Sequence, residues 1–441
     1  MARQTCKTLY QVTKSQYFWR RVLCSLETLT DGRRFQQRLQ ACTPSELEFW
    51  GMKTLQNYQS WALDAPLGFK RRVFRNTSTL NAGYIDQAEL LPGGRWLVAS
   101  DLWGKYHLFD LSSLSPIAQE LFDPGEHDQA DKTRDRLTSF TIWVDKTSKD
   151  LGFRLAAWKA SPPDTPGHVT RTYICEINIS EDKDTVSVST KPIYVTRSYV
   201  DACQRPSIAI SGQYVVEAWN FKGQPAKERS KLCVRKYAFG AESTENTVVT
   251  TGWLSADTER VLITADDQVV TVGVYCISIY TIPQLCKANK HRAVPLHYHQ
   301  LSLTSFLVDV SLPFFDRGHE WMVVWHGLEI LLFRFSPHGS APPHVIKMGD
   351  IPFSYGDEWF SGQVTQDAAI VLYHDGTAKI ITYSWDVEMA KQCVFRGKRL
   401  CIPAECEPPT RLASAGLDMA NGLLAFCDII EGNCMILDTV A

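Results

Sequence analysis

The sequence predicts a mainly β protein that begins with a short helical region. Up to about residue 66 the apolar residues recur at helical spacing, and after that point short runs rich in Val, Ile, Tyr, Trp and Phe follow one another. These later runs return as pairs separated by turn residues. The chain has 441 residues, of which 44% are hydrophobic and 21% charged, so it is long enough to bury a large core.

The first 30 residues predict two short amphipathic helices on either side of Ser15 and Gln16. Apolar side chains recur three and four positions apart, which places them on one helical face. They are Cys6, Leu9, Tyr10 and Thr13 in the first helix and Trp19, Val22, Leu23 and Leu26 in the second.

A third helix is predicted to begin at Thr43. Thr43 is a good capping residue, Pro44 fits the first helical position, and Glu46 is placed to return a bond to the cap. We therefore divide the chain into residues 1–30 with two helices, a helical linker over 31–67 and a β domain over 68–441.

The β domain contains seven pairs of strand-like runs that begin roughly 50 to 60 residues apart. The pairs are residues 96–100 with 106–111, 155–158 with 173–177, 214–219 with 232–238, 269–275 with 278–282, 321–326 with 329–335, 369–374 with 377–383, and 422–428 with 434–439. A turn rich in Gly, Asn or Asp precedes several pairs, so a further strand before the turn gives three or four strands per unit.

Repeats of this kind predict a seven-bladed β-propeller, with the excess length placed in loops. We expect a strand near residues 72–76 or 84–90 to close the ring by pairing with the last hairpin at 434–438, because closure hides exposed strand edges. A pair of β-sandwiches is the alternative architecture, since it also strings short strands together with turns.

Two segments resemble WD-type repeats. Residues 92–100 (PGGRWLVAS) with 108–111 (LFDL) carry the likeness, and so do residues 375–380 (DGTAKI). The match is degenerate because the Gly-His dipeptide is missing and Phe109-Asp110 stands where Trp-Asp is usual. The resemblance implies a WD-like propeller with degenerate repeats.

The amino end resembles the second half of an F-box. Residues 6–10 (CKTLY) and 15–23 (SQYFWRRVL) match its Cys-Lys helix, followed by Ser, an apolar residue and Trp with a closing Leu. Leu9 replaces the usual tryptophan, and no Leu-Pro-rich opening helix precedes Cys6. We expect either an F-box that starts upstream in a longer natural product or a degenerate one.

An F-box before a propeller implies a substrate receptor of an SCF-type ubiquitin ligase. The helices then bind the adaptor subunit of the Skp family, and the propeller binds a target protein that the sequence does not identify. The residues expected at the adaptor are Leu9, Tyr10, Phe18, Trp19 and Leu23. A propeller scaffold unrelated to ubiquitin and a propeller hydrolase are the alternatives.

The charge and the cysteine content limit the classes of binding partner and the cellular compartments that we expect. The formal net charge of −2 provides no overall positive potential that would attract nucleic acid. No run of the sequence approaches the ~20 apolar residues that span a bilayer. The 13 cysteines are scattered and odd in number, so we expect reduced core residues. These features predict an intracellular protein, cytoplasmic or nuclear, that binds neither nucleic acid nor membranes.

Motifs for catalysis or cofactor binding are absent from the sequence. It has no Gly-x-Ser-x-Gly, no phosphate-binding Gly-rich loop and no His-Glu-x-x-His, so we expect neither an enzyme nor a bound cofactor.

Two histidines and two acidic pairs are candidates for a metal site or a catalytic site. His297 and His299 share one strand face, but the spacing supplies no third ligand, so we expect no metal site. The acidic pairs Asp266-Asp267 and Asp357-Glu358 suit a glycosidase only if two carboxylates face each other across the substrate. The first pair occupies a turn position, which favours a structural role.

Overall fold

The computed structural model describes residues 12–27 and 43–62 and, between 68 and 440, the strands given below with part of the turns that join them. Among the described residues, the helices α1 (Gln16–Glu27) and α2 (Pro44–Ala62) precede the first strand at Gly68. Neither of these helices is long and apolar enough to span a lipid bilayer.

Helix α2 begins with the predicted capping arrangement. The Thr43 backbone N–H donates to the Glu46 carboxylate at 2.7 Å, and the Glu46 N–H donates to the Thr43 hydroxyl at 3.3 Å. The two bonds satisfy groups that the helix itself leaves free. This contact with the Thr43 N–H also lowers the pKa of Glu46.

The rest of the described chain forms seven antiparallel sheets, which we number 1 to 7. Sheet 1 holds β2 (Ile85–Leu90), β3 (Trp96–Asp101), β4 (Tyr106–Asp110) and β5 (Ala118–Phe122). Sheet 2 holds β6 (Thr138–Val144), β7 (Leu151–Ala160), β8 (Val169–Asp182) and β9 (Thr185–Tyr199). Sheet 3 holds β10 (Ser207–Ile210), β11 (Tyr214–Asn220), β12 (Ser230–Lys236) and β13 (Val248–Leu254). Sheet 4 holds β14 (Arg260–Ile263), β15 (Gln268–Val272), β16 (Cys276–Thr281) and β17 (His297–Gln300).

The remaining sheets follow the same plan. Sheet 5 holds β18 (Leu307–Val310), β20 (His319–His326), β21 (Glu329–Phe335) and β22 (His344–Asp350), with the short β19 (Phe314–Asp316) also paired to β20. Sheet 6 holds β23 (Trp359–Val364), β24 (Ala368–Tyr373), β25 (Ala378–Ser384) and β26 (Val394–Leu400). Sheet 7 holds β27 (Leu412–Asp418), β28 (Leu423–Asp428), β29 (Asn433–Val440) and β1 (Gly68–Arg75).

Each predicted pair of runs forms an antiparallel hairpin, and each hairpin lies in a different sheet. The prediction of hairpins is therefore confirmed for all seven pairs. Each hairpin supplies the two central strands of its sheet, so each of its strands has a hydrogen-bonded neighbour on both sides.

Sheet 7 is assembled from both ends of the β domain. Strand β1 pairs with β29, with Arg72 opposite Ile436. Of the two strands expected to meet the last hairpin, the one near residues 72–76 does so. Strand β2 pairs with β3 instead, in sheet 1.

Successive sheets touch through their first strands. Strand β2 contacts β6 and β27, β10 contacts β6 and β14, and β23 contacts β18 and β27. Sheets 4 and 5 share a cluster that includes Val270 and Met322. Each sheet therefore contacts the next, and the last contacts the first, which is a propeller-like arrangement and differs from two stacked sandwiches.

Aromatic side chains fill the spaces between the sheets. Trp158 of sheet 2 and Trp219 of sheet 3 meet edge to face with ring centroids 5.4 Å apart. Tyr106 of sheet 1 meets Phe140 of sheet 2 in the same way at 5.7 Å. Such pairs stabilise packing beyond the area they bury.

Candidate functional site

The two helices pack against each other and form a small helical unit. Trp19 and Leu23 of α1 lie against Leu47 of α2 with 5%, 4% and 1% of their surfaces exposed. Phe18 and Trp50 are partly buried at the edge of this cluster. The amphipathic stripe predicted from the sequence is thus the surface that joins the helices.

Trp19 is held by contacts within the helical unit. Its indole Nε1 donates to the Thr13 carbonyl oxygen at 2.6 Å, and the Phe18 ring meets it edge to face at 5.2 Å. Its ring lies so close to Gly51 that a Cβ there would sit 2.6 Å from Trp19 Cε3. Gly51 is therefore the residue that allows the two helices to approach.

The residues predicted to contact the adaptor have different surroundings. Trp19 and Leu23 point into the helical pair, and Phe18 is half-buried beside them. Leu9 and Tyr10 lie outside the described residues. A direct adaptor contact by these five side chains stays a prediction.

Other large apolar side chains of the helical unit face outward. Tyr17 is 74% exposed, Phe49 64% and Met52 44%. Phe49 lies two positions from Leu47 and two from Gly51, which puts it on the opposite side of α2. We call Tyr17, Phe49 and Met52 the exposed apolar set. They are not among the residues expected at the adaptor, although the helix start at Pro44 fixes the side of α2 on which Phe49 falls.

Polar side chains on first strands tie neighbouring sheets together. The Gln87 amide of β2 donates to the Phe140 carbonyl at 3.0 Å and accepts from the Phe140 N–H at 3.2 Å. The Asp309 carboxylate accepts from the Val364 N–H at 2.8 Å, and Arg260 lies 3.7 Å away. Because such positions look like solvent-facing residues in the sequence, they were missed.

Arg154 makes a further tie between sheets 2 and 3. This buried side chain donates to the Gly212 carbonyl oxygen at 2.5 Å and to the Tyr237 hydroxyl at 3.1 Å. Its guanidinium also lies 4.7 Å from the centre of the Trp143 ring. A buried cation surrounded by acceptors and aromatic faces is favourable as long as each contact is kept.

Glu89 is a further polar residue on a first strand. It lies on β2, two positions from Gln87, and is partly exposed. Burial raises the pKa of its carboxyl to about 8.

The acidic pair at residues 266–267 forms a turn, as expected. Asp267 has a φ of 57°, its N–H donates to the Thr264 carbonyl oxygen at 3.0 Å, and its carboxylate accepts from the Ser211 hydroxyl at 3.3 Å. Burial raises the pKa of this carboxyl. The second pair, Asp357-Glu358, lies outside the described residues.

The two histidines of β17 have separate surroundings. His297 Nε2 lies 3.0 Å from the Gly339 carbonyl oxygen, and the His299 ring meets Phe333 edge to face at 5.3 Å. Within the part of the chain that the structure describes, no three side chains of His, Cys, Asp or Glu are grouped as metal ligands.

The reactivity of the buried cysteines tests whether they are inaccessible thiols in the core. Cys175 and Cys233 are buried free thiols, and burial raises the pKa of each to about 12. We expect neither to react with a maleimide at pH 8 in the folded protein, because only the thiolate is nucleophilic. Mass spectrometry of labelled peptides measures this. Denatured, unreduced protein should give all 13 thiols, and a smaller number contradicts the prediction that no disulfide forms.

Comparisons with known proteins find similarity in structure and none in sequence. No protein-family model matches the chain, and no curated protein does. Among solved structures, the crystal structure of Chaetomium thermophilum Raptor matches with a TM-score of 0.48 and 9% sequence identity. The match covers 88% of this chain but 30% of the Raptor chain.

Proposed function

We propose that the chain is a seven-bladed, WD-like β-propeller that acts as a non-enzymatic substrate receptor of an SCF-type ubiquitin ligase. The helical unit binds the adaptor of the Skp family, and the propeller binds the target protein. One observation carries the proposal. The helical unit buries Trp19, Leu23 and Leu47 between its two helices and leaves the exposed apolar set facing outward.

The seven-bladed ring is supported by the contacts between sheets. Each of the seven sheets touches the next, and β2 of sheet 1 touches β27 of sheet 7. The pairing of β1 with β29 joins the two ends of the β domain in one sheet. A closed ring is rigid, which suits a protein that must hold its target at a fixed position.

Adaptor binding is supported by the exposed apolar set. Phe49 and Met52, three positions apart on α2, and Tyr17 on α1 present aromatic and thioether surface to water, where a partner could bury it. Aromatic side chains are also the commonest anchors of protein interfaces. Trp19 and Leu23 then act indirectly, by holding the two helices in position.

A receptor needs no reactive group of its own. Its physical task is to bring the target close to a ubiquitin that is activated elsewhere, and proximity alone accelerates such a transfer. The carboxylate of Asp267 accepts a hydrogen bond from the Ser211 hydroxyl of sheet 3, which supports a structural role for this acidic residue.

Calorimetry with the full chain and a purified Skp-family adaptor tests the proposal. We expect Phe49→Ala to weaken binding by about 30-fold, equivalent to about 2 kcal/mol, because it removes a large exposed aromatic side chain of the proposed interface. Leu328→Ala is the matched control, since Leu328 is 53% exposed on the turn between β20 and β21, in sheet 5. If the unmodified chain does not bind the adaptor, the ligase proposal is wrong.

A scaffold unrelated to ubiquitin is the second candidate function. Tyr275 of sheet 4 and Leu328 of sheet 5 are 50% and 53% exposed on neighbouring turns. These turns are tied by a contact of 2.8 Å between His326 Nε2 and the Val274 carbonyl oxygen. The β domain thus has an apolar surface that needs no help from the helices to bind a partner.

A further inference from the structure

Two cysteines stand opposite each other in the last hairpin of the β domain. In the pairing of β28 with β29, Cys427 lies opposite Cys434, and this is the pair of the ladder nearest the turn. Among the strand pairings that the structure describes, no other position places two cysteines opposite each other. The fold therefore brings together two thiol-bearing residues that lie seven positions apart in the sequence.

The geometry of an antiparallel ladder suits a disulfide at this position. The Cα atoms of directly opposite residues are about 4.5 or 5.5 Å apart, depending on whether the pair exchanges backbone hydrogen bonds. Both separations lie within the range of about 4.4 to 6.8 Å that disulfides span. Opposite residues also share one face of the sheet. A bond between the two cysteines is therefore compatible with the register of the two strands.

The pair lies in the sheet that joins the two ends of the β domain. Strands β28 and β29 are the central strands of sheet 7, and β29 pairs with β1 on its other side. In that second pairing Cys434 lies opposite Phe74 of β1. A covalent link between β28 and β29 therefore secures the strand on which the pairing of β1 depends.

We propose that Cys427 and Cys434 are a redox-active dithiol, which small-molecule disulfides such as oxidised glutathione convert to a cross-strand disulfide that stabilises sheet 7. Under reducing conditions both cysteines are free thiols, in agreement with the 13 thiols expected above. The proposal does not depend on adaptor binding, so it is tested separately from the ligase proposal.

The reaction with oxidised glutathione is a two-step exchange. One cysteine loses its proton, and its thiolate attacks a sulfur of oxidised glutathione, which forms a mixed disulfide and releases one glutathione thiolate. The thiolate of the second cysteine then attacks the protein sulfur of the mixed disulfide and releases the second glutathione. The two protein sulfurs are oxidised, the two glutathione sulfurs are reduced, and the two cysteine protons pass to the released thiolates.

The bond can be measured directly because Glu431 lies between the two cysteines. Cleavage after arginine and after glutamate gives one peptide of residues 412–431 and another of residues 432–441, each with a single cysteine. The full chain is equilibrated with oxidised and reduced glutathione, its remaining thiols are blocked with N-ethylmaleimide, and it is then digested. We expect mass spectrometry to find the two peptides joined, and to find them separate after treatment with dithiothreitol.

Comparison with the unfolded chain shows whether the fold places the cysteines together. We expect half of the bond to form in the folded chain at about tenfold less oxidised glutathione than in concentrated urea. The same factor corresponds to a rise of about 2 °C in the melting temperature for a chain of this size. Cys434→Ser should lose this rise. Cys276→Ser, whose opposite residue in β17 is Gln300, should keep it.

Three results overturn the proposal. The first is an equal requirement for oxidised glutathione in the folded and the unfolded chain, and the second is a separate glutathione adduct on each of the two cysteines. The third is an equal rise in melting temperature in the unmodified chain and in Cys434→Ser, which assigns the rise to other cysteines. The peptide measurement uses the unmodified chain, so it decides the matter even if Cys434→Ser does not fold.

Discussion

Deleting residues 432–441 is expected to destabilise the whole β domain and to lower its melting temperature by roughly 10 °C or more. The deletion removes β29, which pairs with β28 on one side and with β1 on the other. Both neighbours then expose unpaired backbone groups, and β1 loses its connection to the β domain. Because each sheet packs on the next, a loss in sheet 7 reaches sheets 1 and 6 directly.

Differential scanning calorimetry and limited proteolysis measure this effect. A milder pair of variants tests the same idea, because Ile436 lies in β29 with a strand on each side and Ile346 lies in β22 with a strand on one side. We expect Ile436→Pro to lower the melting temperature more than Ile346→Pro. A truncated chain that melts at the temperature of the full chain contradicts the prediction.

Trp19→Ala is expected to destabilise the helical unit by about 3 to 5 kcal/mol, the usual cost of removing a large buried aromatic side chain. Gly51→Ala should also destabilise this unit, because the new Cβ would lie 2.6 Å from the Trp19 ring. The sign is diagnostic, since the same change inside an exposed helix stabilises by about 0.5 to 1 kcal/mol.

Combining the two substitutions tests the contact itself. With the indole removed, Gly51→Ala should become stabilising, so the two changes are strongly non-additive. Hydrogen exchange of peptides from α1 and α2 in the full chain measures the stability of the helical unit separately from that of the sheets. Lys53→Ala, at an exposed position of α2, is the neutral control. Additive effects of Trp19→Ala and Gly51→Ala show that the ring and the glycine do not determine each other's position.

The hairpins and the α2 cap were predictable because their signals are local. An apolar run, a turn and a second run lie within a few residues of one another, and the cap at Thr43 needs only the next three positions. The pairing of β1 with β29 required a further argument, that a ring must hide its edges, and this argument left two possible strands for the role.

The roles of single side chains in the candidate sites were less predictable. Trp19 belongs to an amphipathic stripe, but the stripe does not say whether a neighbouring helix or another protein covers it. Its position is decided by Gly51, which follows 32 positions later. Gln87 looks like a solvent-facing polar residue in the sequence, and only the placement of β6 gives its side chain a partner.

Sheet 7 combines strands from both ends of the β domain, so it can be completed only late in the synthesis of the chain. Strand β1 ends at Arg75 and its partner β29 begins at Asn433. At about 5 to 20 residues per second, a ribosome takes tens of seconds to add the residues between them. Throughout that time β1 has emerged without its neighbour, and its open edge is available to other nascent chains or to chaperones. The synthesis of the eight residues of β29 therefore determines when sheet 7 can be completed and the exposed edge of β1 covered.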